Sequence, residues 1–332
     1  MKRISQREIA NFLGVNVSTV SRALRGLEGV SPELRQKILS LAKERGYRPN
    51  PFAVSLRYDT TRTIGVVVPD VSFSHYAHIV KRIEAEARKI GYMCIITDSN
   101  DKYENEKNCL ELLVNMHVEG IIMCLAQDTT DFSHIQHLKK IHMPVVLFDR
   151  DADIDISSVV INDVESAREV TYRLIDSGAK RIAFLGGPNK LKQTADRKHG
   201  YLEALRERGI PIRKELVKCD FLSFSSGFSN TTELLDMHDR PDAIVASHGL
   251  LTLSSMKAIE ARGMNVPNDI SVVGYMSDWI SEVLTPRVSF VKQNQKEIAV
   301  KAFKLLHDQM DGDTCVQHII VKANLELRDS TR

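Results

Sequence analysis

Apolar residues recur along this 332-residue chain at two different periods. Near the N-terminus the period is helical. Ser5-Gln6-Arg7-Glu8 is an S-x-x-E capping box, and the stripe Ile9, Ala10, Leu13 behind it stops at Gly14, which predicts a first short helix. After the turn Gly14-Val15-Asn16, the run Val17 to Leu24 sets Val20, Ala23 and Leu24 inward and Val17, Ser18, Ser21 and Arg22 outward. Ser31-Pro32 caps and opens a third helix, with Leu34, Ile38, Leu41 and Ala42 on its apolar face and Gly46 at its end. Asn50-Pro51 repeats the cap-and-proline signal before a segment of only about seven residues, a length at which an isolated helix is marginal in water. That segment should fold only when something pairs with it.

From Thr63 the pattern changes to short β-rich runs alternating with helical ones. Strands are predicted at Ile64–Val68, Met93–Thr97, Gly120–Leu125 and Val145–Phe148, with helices at Tyr76–Ile90, Glu104–Met116 and Ile135–Ile141 between them. A second series begins at Val159–Ile161 and continues through Ser166–Ser177, Ile182–Leu185, Ala195–Arg208, Ala243–Ala246 and Leu253–Arg262 to Ser271–Gly274. Two such halves predict an α/β class: an N-terminal all-α helix-turn-helix followed by a bilobed, periplasmic-binding-protein-like body of two parallel-sheet α/β lobes. The expected domains are 1–48, a hinge and linker over 49–62, and the body over 63–332. Within the body, lobe one is expected at about 63–161 and 293–320, and lobe two at about 162–292 and 321–329.

Charge sharpens this division. Residues 1–62 hold twelve Lys and Arg against five acids, a net +7, while the remainder carries 33 against 38, a net −5. A basic head on an acidic body is the electrostatic footprint of a polyanion-binding module carried by a part that does not bind the polyanion. The longest apolar runs are strand-sized, and Lys2-Arg3 precedes no signal-peptide apolar region, so cytoplasmic residence without membrane association is expected. Cys94, Cys109, Cys124, Cys219 and Cys315 are scattered without a C-x-x-C pair and read as reduced core residues. The i, i+3 pairs His75/His78 and His134/His137 lack a third ligand at matching spacing, so no metal is expected.

A polar, Arg-bearing second helix after a tight turn suits a major-groove surface. The order of helix-turn-helix, VSPELRQKIL, GYRPNPFAVSLR and TIGVVVPD resembles the lactose-repressor/galactose-repressor (LacI/GalR) family over essentially the whole chain. The resemblance implies a sequence-specific regulator of transcription that binds a pseudo-palindromic double-stranded DNA operator as a homodimer and answers to a small-molecule effector. It places Val17, Ser18 and Arg22 at base-reading positions and Thr19 and Ser21 near phosphates. Ser5, Asn50, Ala53 and Leu56 complete the expected DNA-binding set, with Ala53 against the partner hinge and Leu56 as the minor-groove wedge. No leucine heptad follows the last strand, so a dimer is expected rather than a tetramer.

In open parallel sheets, ligands bind beyond the carboxyl ends of the strands. The same resemblance puts His75, Tyr76 and Phe221 on a pocket wall, Asp149 on its floor and Arg197 at the ligand-gripping position. His248 and Met276 stand where many members have an Asn and an Asp, and Trp279 lies close by. Losing that polar pair argues against a simple hexose and toward a sugar acid, a sugar phosphate or another anionic metabolite. No cofactor is expected. Neither G-x-G-x-x-G nor a phosphate loop, G-x-S-x-G elbow or H-E-x-x-H occurs, which excludes the enzyme classes built on them. One rival reading stays open: an architectural DNA-binding protein whose lobes dimerise and bind no ligand.

Overall fold

The computed structural model describes residues 4–47 and 60–332. They form two compact units that divide at Thr61/Arg62. The first unit contains α1 (Gln6–Leu13), α2 (Val17–Leu24) and α3 (Pro32–Glu44). The capping box forms in both directions: the Ser5 hydroxyl accepts the Glu8 amide at 3.2 Å, and the Glu8 carboxylate accepts the Ser5 amide at 2.7 Å. Gly14 ends α1 at φ +66°, a conformation only glycine adopts without strain. Ser31 caps α3 with Pro32 in its first turn. Ile9, Ala10, Val20, Ala23, Ile38, Leu41 and Ala42 bury one another, drawing only on residues up to Tyr47 for their partly buried surround.

The second unit holds two six-stranded sheets. In lobe one they are β1 (Thr63–Val68), β2 (Met93–Asp98), β3 (Ile121–Met123), β4 (Val145–Phe148), β5 (Ser157–Ile161) and β11 (His318–Val321), in the order β11-β5-β4-β3-β1-β2 and parallel throughout. Lobe two has β6 (Ile182–Gly186), β7 (Val217–Cys219), β8 (Ala243–Ala246), β9 (Ser271–Tyr275), β10 (Ser289–Lys292) and β12 (Asn324–Glu326), in the order β12-β10-β9-β8-β6-β7. Its last pair, β10 with β12, is antiparallel, a departure from the all-parallel expectation that follows from the chain entering lobe two once more at its end. The chain passes between the lobes after β5, β10 and β11. The Asn162 side chain accepts the Ala323 amide at 2.8 Å and so ties two of these passages together.

The helices that matter for the cleft are α4 (Ser74–Lys89), α7 (Asp163–Asp176), α8 (Lys192–Glu207), α10 (Gly249–Ala261) and the short α11 (Asp278–Val283). Between them in chain order lie α5 (Tyr103–Asn115), α6 (Ser133–Lys140) and α9 (Phe224–Leu235), and α12 (Gln295–Met310) follows. Helices α7 and α8 touch backbone to backbone at Gly200, where a Cβ would stand 2.0 Å from the Val164 carbonyl oxygen. Missed in the sequence are β7, α9 and α11, which are three residues, hydroxyl-rich and six residues long respectively, and no element is predicted between Gly274 and the final strand, where β10, α12 and β11 lie. Cys315 is exposed rather than in a core, because it sits in the loop before β11. No helix among the described residues is long and apolar enough to cross a membrane.

Candidate functional site

In the first unit, α2 presents Val17, Ser18 and Arg22 to solvent, Val17 with 43% of its surface exposed. Thr19 is half-buried. Ser21, expected to face outward, is buried beside Val20 and Ala23. At 100° per residue it flanks the inward stripe, and its small side chain fits the helix packing that a longer polar one would be excluded from. Ser5 is engaged in the cap of α1. Asn50, Ala53 and Leu56 lie outside the described residues.

In the second unit, the strand ends of both sheets converge on one cleft, open at its mouth. In each sheet the first strand of the lobe, β1 or β6, is the point where strand order reverses, the usual place for a ligand crevice. Six of the eight expected wall residues line this cleft: His75, Tyr76, Asp149, Arg197, His248 and Met276. Phe221 and Trp279 stand outside it, and their neighbours Leu222 and Ile280 take the wall instead. The Phe221 ring is covered by the Lys102 ammonium at 4.5 Å, and Trp279 is 53% exposed on α11. Both stand one residue away from a lining position in the same segment.

Asp149 sits at the end of β4 with φ +62°. Its oxygens accept from His75 Nε2 at 2.9 Å and from the Tyr76 hydroxyl at 3.4 Å. Burial works against its charge, but His75, Arg197 and Arg150 together outweigh that and hold the carboxyl well below the usual range. Arg150, placed by the sequence at a strand end without a role, is buried and donates to Asp101 at 2.5 Å and to the Leu125 carbonyl at 2.9 Å. Arg197, on α8, is 1% exposed. Its Nε donates to Asp163 at 2.6 Å, Nη1 donates to the Ser247 carbonyl, and its guanidinium lies 3.8 Å from the centre of the Tyr275 ring. Nη2 is buried and has no hydrogen-bond partner among the described residues. Burial pushes the Asp163 carboxyl up to about 7, despite the Arg197 charge that pulls it down.

His248 is driven well below the ordinary histidine value by burial and by the positive charges of Arg197 and Arg150, so its imidazole is neutral. Nε2–H then donates to Gln193 Oε1 at 2.9 Å, and Nδ1 accepts from the Ser247 hydroxyl at 2.8 Å. Gln193, one helical turn before Arg197 on α8, was also missed, although the i, i+4 spacing puts both on one face. Its Nε2 reaches across the cleft to the Asp149 carbonyl at 3.1 Å. Other bridges between the lobes join the Ser74 and Ser277 hydroxyls at 3.0 Å, and the Leu222 amide with Gln127 Oε1 at 2.5 Å. His134, half of a histidine pair noted in the sequence, is engaged elsewhere, 2.7 Å from the fully buried Glu106 carboxylate.

Comparison with known proteins agrees with this architecture. The family model described as periplasmic binding proteins and sugar binding domain of LacI family matches residues 61–313, and that of bacterial regulatory proteins, lacI family, matches residues 6–50. The catabolite control protein A of Priestia megaterium is 32% identical over 328 residues, 98% of each chain. A solved complex of the transcriptional regulator CelR with cellobiose is 28% identical, covers 99% of this chain and 100% of its own, and superposes with a TM-score of 0.75. The lac repressor dimer on operator DNA, 24% identical with 99% of each chain covered and a TM-score of 0.86, shares the fold. These relatives are regulators, not enzymes. The chain belongs to the LacI family of bacterial regulatory proteins.

Proposed function

We propose that this protein is a cytoplasmic transcriptional repressor that binds a pseudo-palindromic operator as a homodimer and is controlled by a small molecule in the interlobe cleft, a carbohydrate derivative or another polar or anionic metabolite. Val17, Ser18 and Arg22 read bases from α2, Thr19 approaches a phosphate, and the hinge over 49–62 pairs with its partner so that Leu56 enters the minor groove. Helix α2, exposed along Val17, Ser18 and Arg22 in a head of net charge +7, supports the DNA half. The observation that carries the effector half is Arg197: a buried guanidinium on the cleft wall with one N–H group left free to receive an acceptor.

Effector binding alters the angle between the lobes, and with it the spacing of the two hinges in the dimer. Operators selected from random duplexes provide the assay. Leu56→Ala should weaken operator binding at least tenfold and leave effector affinity unchanged, while Arg197→Met should do the reverse. Equal loss of both functions in both variants refutes the division, and binding to duplexes without sequence preference at moderate salt refutes the repressor reading.

A further inference from the structure

We infer that the occupant of the cleft is a carboxylate with an apolar body, an aryl or medium-chain alkyl acid, rather than a polyhydroxylated sugar. This rests on the reading of the cleft as an effector site, and narrows it. The polar atoms of the inner wall are largely engaged with one another. Asp149 holds His75 and Tyr76, both ring nitrogens of His248 are taken by Ser247 and Gln193, and the Tyr275 hydroxyl meets Ser166 at 2.8 Å. Arg150 is turned to Asp101 and Leu125. What remains among the described residues is Arg197 Nη2, Arg150 Nε and the amide of Gln293, a nearly buried lining residue beyond β10.

Apart from Asp70 and the mutually paired Ser74 and Ser277 hydroxyls, the rest of the wall is largely apolar: Phe73, Leu222, Leu250, Leu253, Met276 and Ile280. A hexose carries a hydroxyl on nearly every carbon, and each one buried here without a partner forfeits the hydrogen bonds it makes to water. An apolar body instead gains from the same surface. Charge at the head end is also suitable. The acidic groups are matched: Asp149 with His75 at 2.9 Å, Asp101 with Arg150 at 2.5 Å and Asp163 with Arg197 at 2.6 Å. Asp70, half-exposed, accepts the Ser72 amide at 2.7 Å. The field at the neighbouring His248 is dominated by the two arginines. A carboxylate placed on Arg197 Nη2 therefore forms a charge-assisted hydrogen bond in a dry site, with Gln293 as a second donor.

The test is calorimetric titration of the full-length wild-type protein with benzoate, phenylacetate, cinnamate, hexanoate and octanoate. The primary amide of each acid, together with glucose, cellobiose and glucuronate, completes the set. At least one acid should bind, at least tenfold more tightly than its own amide and more tightly than any of the sugars, and Arg197→Met, which removes the positive charge, should erase the preference for acid over amide. An acid and its amide binding equally overturns the carboxylate assignment. Glucose, cellobiose or glucuronate binding more tightly than every acid overturns the apolar body and leaves the effector-site reading standing. Silence across the five acids overturns the inference, and silence across the whole set overturns the effector-site reading with it.

Discussion

The head and the body place chemistry on the chain in opposite ways. In the head, one eight-residue helix carries the exposed Val17, Ser18 and Arg22, and short-range signals such as the Ser5–Glu8 box, Gly14 and Ser31-Pro32 determine where that helix lies. In the body, the cleft draws separate short groups of residues from many strand ends between Pro69 and Gln293. A surface written along one helix tolerates error elsewhere in the fold. A pocket gathered from two sheets depends on how those sheets and their helices pack, so remote changes should reach it.

The sharpest way to break this contrast is in the head core. Ile38 is fully buried in a cluster that draws on no described residue past Tyr47. Ile38→Asp places an unpaired charge there, and a domain this small has little stability to lose. Operator binding should vanish while the body keeps its unfolding midpoint and its effector affinity, read by calorimetry. A parallel fall in the body's midpoint means the two cores are not independent.

The next effect falls on the body. Gly200→Ala would force α8 away from α7, since the added Cβ meets the Val164 carbonyl oxygen and backbone cannot give as a flexible side chain can. Overpacking of this kind costs about 1–3 kcal/mol or more. Arg197 lies three residues earlier on the same helix, so effector affinity should drop at least tenfold, although residue 200 is not in the cleft wall. Urea unfolding and calorimetric titration measure the two losses. Unchanged affinity in a folded variant contradicts the coupling.

These differences explain what could be read from the chain before folding. The head helices and the alternation of strands and helices follow from caps and periodicity, the strand-end rule points to the loops of the cleft, and the six cleft residues come from the family resemblance. Ser21 was misjudged because a helix stripe has edges, and whether an edge position is covered depends on a neighbouring helix. Phe221 and Trp279 each stand one residue from a position that lines the cleft, Leu222 and Ile280. Arg150 and Gln293 gave no signal, since an arginine after an aspartate or a glutamine after a strand becomes informative only once the opposite lobe is in place.

A pH effect tests the cleft wall more gently. His248 has its folded value lowered, chiefly by burial and then by Arg197 and Arg150, so the unfolded chain binds the proton more readily. Its contribution to stability is therefore full above about pH 6.5 and lost as pH falls below that. Asp163, raised to about 7, acts in the opposite sense, favouring the folded state at low pH and losing that contribution as pH rises toward 7. The wild type will show the two partly cancelling between pH 5 and 7. His248→Asn removes one of them, so stability relative to wild type should rise on going from pH 7.5 to pH 5, measured by urea unfolding at both. A constant difference rules out a buried neutral His248.

The smallest effect decides what Ser5 contributes. The sequence places it in the DNA-binding set, yet its hydroxyl donates to the Glu8 carboxylate at 2.8 Å and accepts the Glu8 amide at 3.2 Å. A cap of this type contributes about 1 kcal/mol. Ser5→Ala should therefore lower the melting temperature of the head by a few degrees, while operator affinity well below that temperature, and its dependence on salt, stay at wild-type values. Ser18→Ala should do the opposite, leaving the melt alone and weakening the operator complex, because Ser18 is exposed on α2 and caps nothing. If Ser5→Ala instead weakens binding in a head that is fully folded, the hydroxyl serves helix and DNA together. The boundary between scaffold and reading surface would then run through α1 as well as α2.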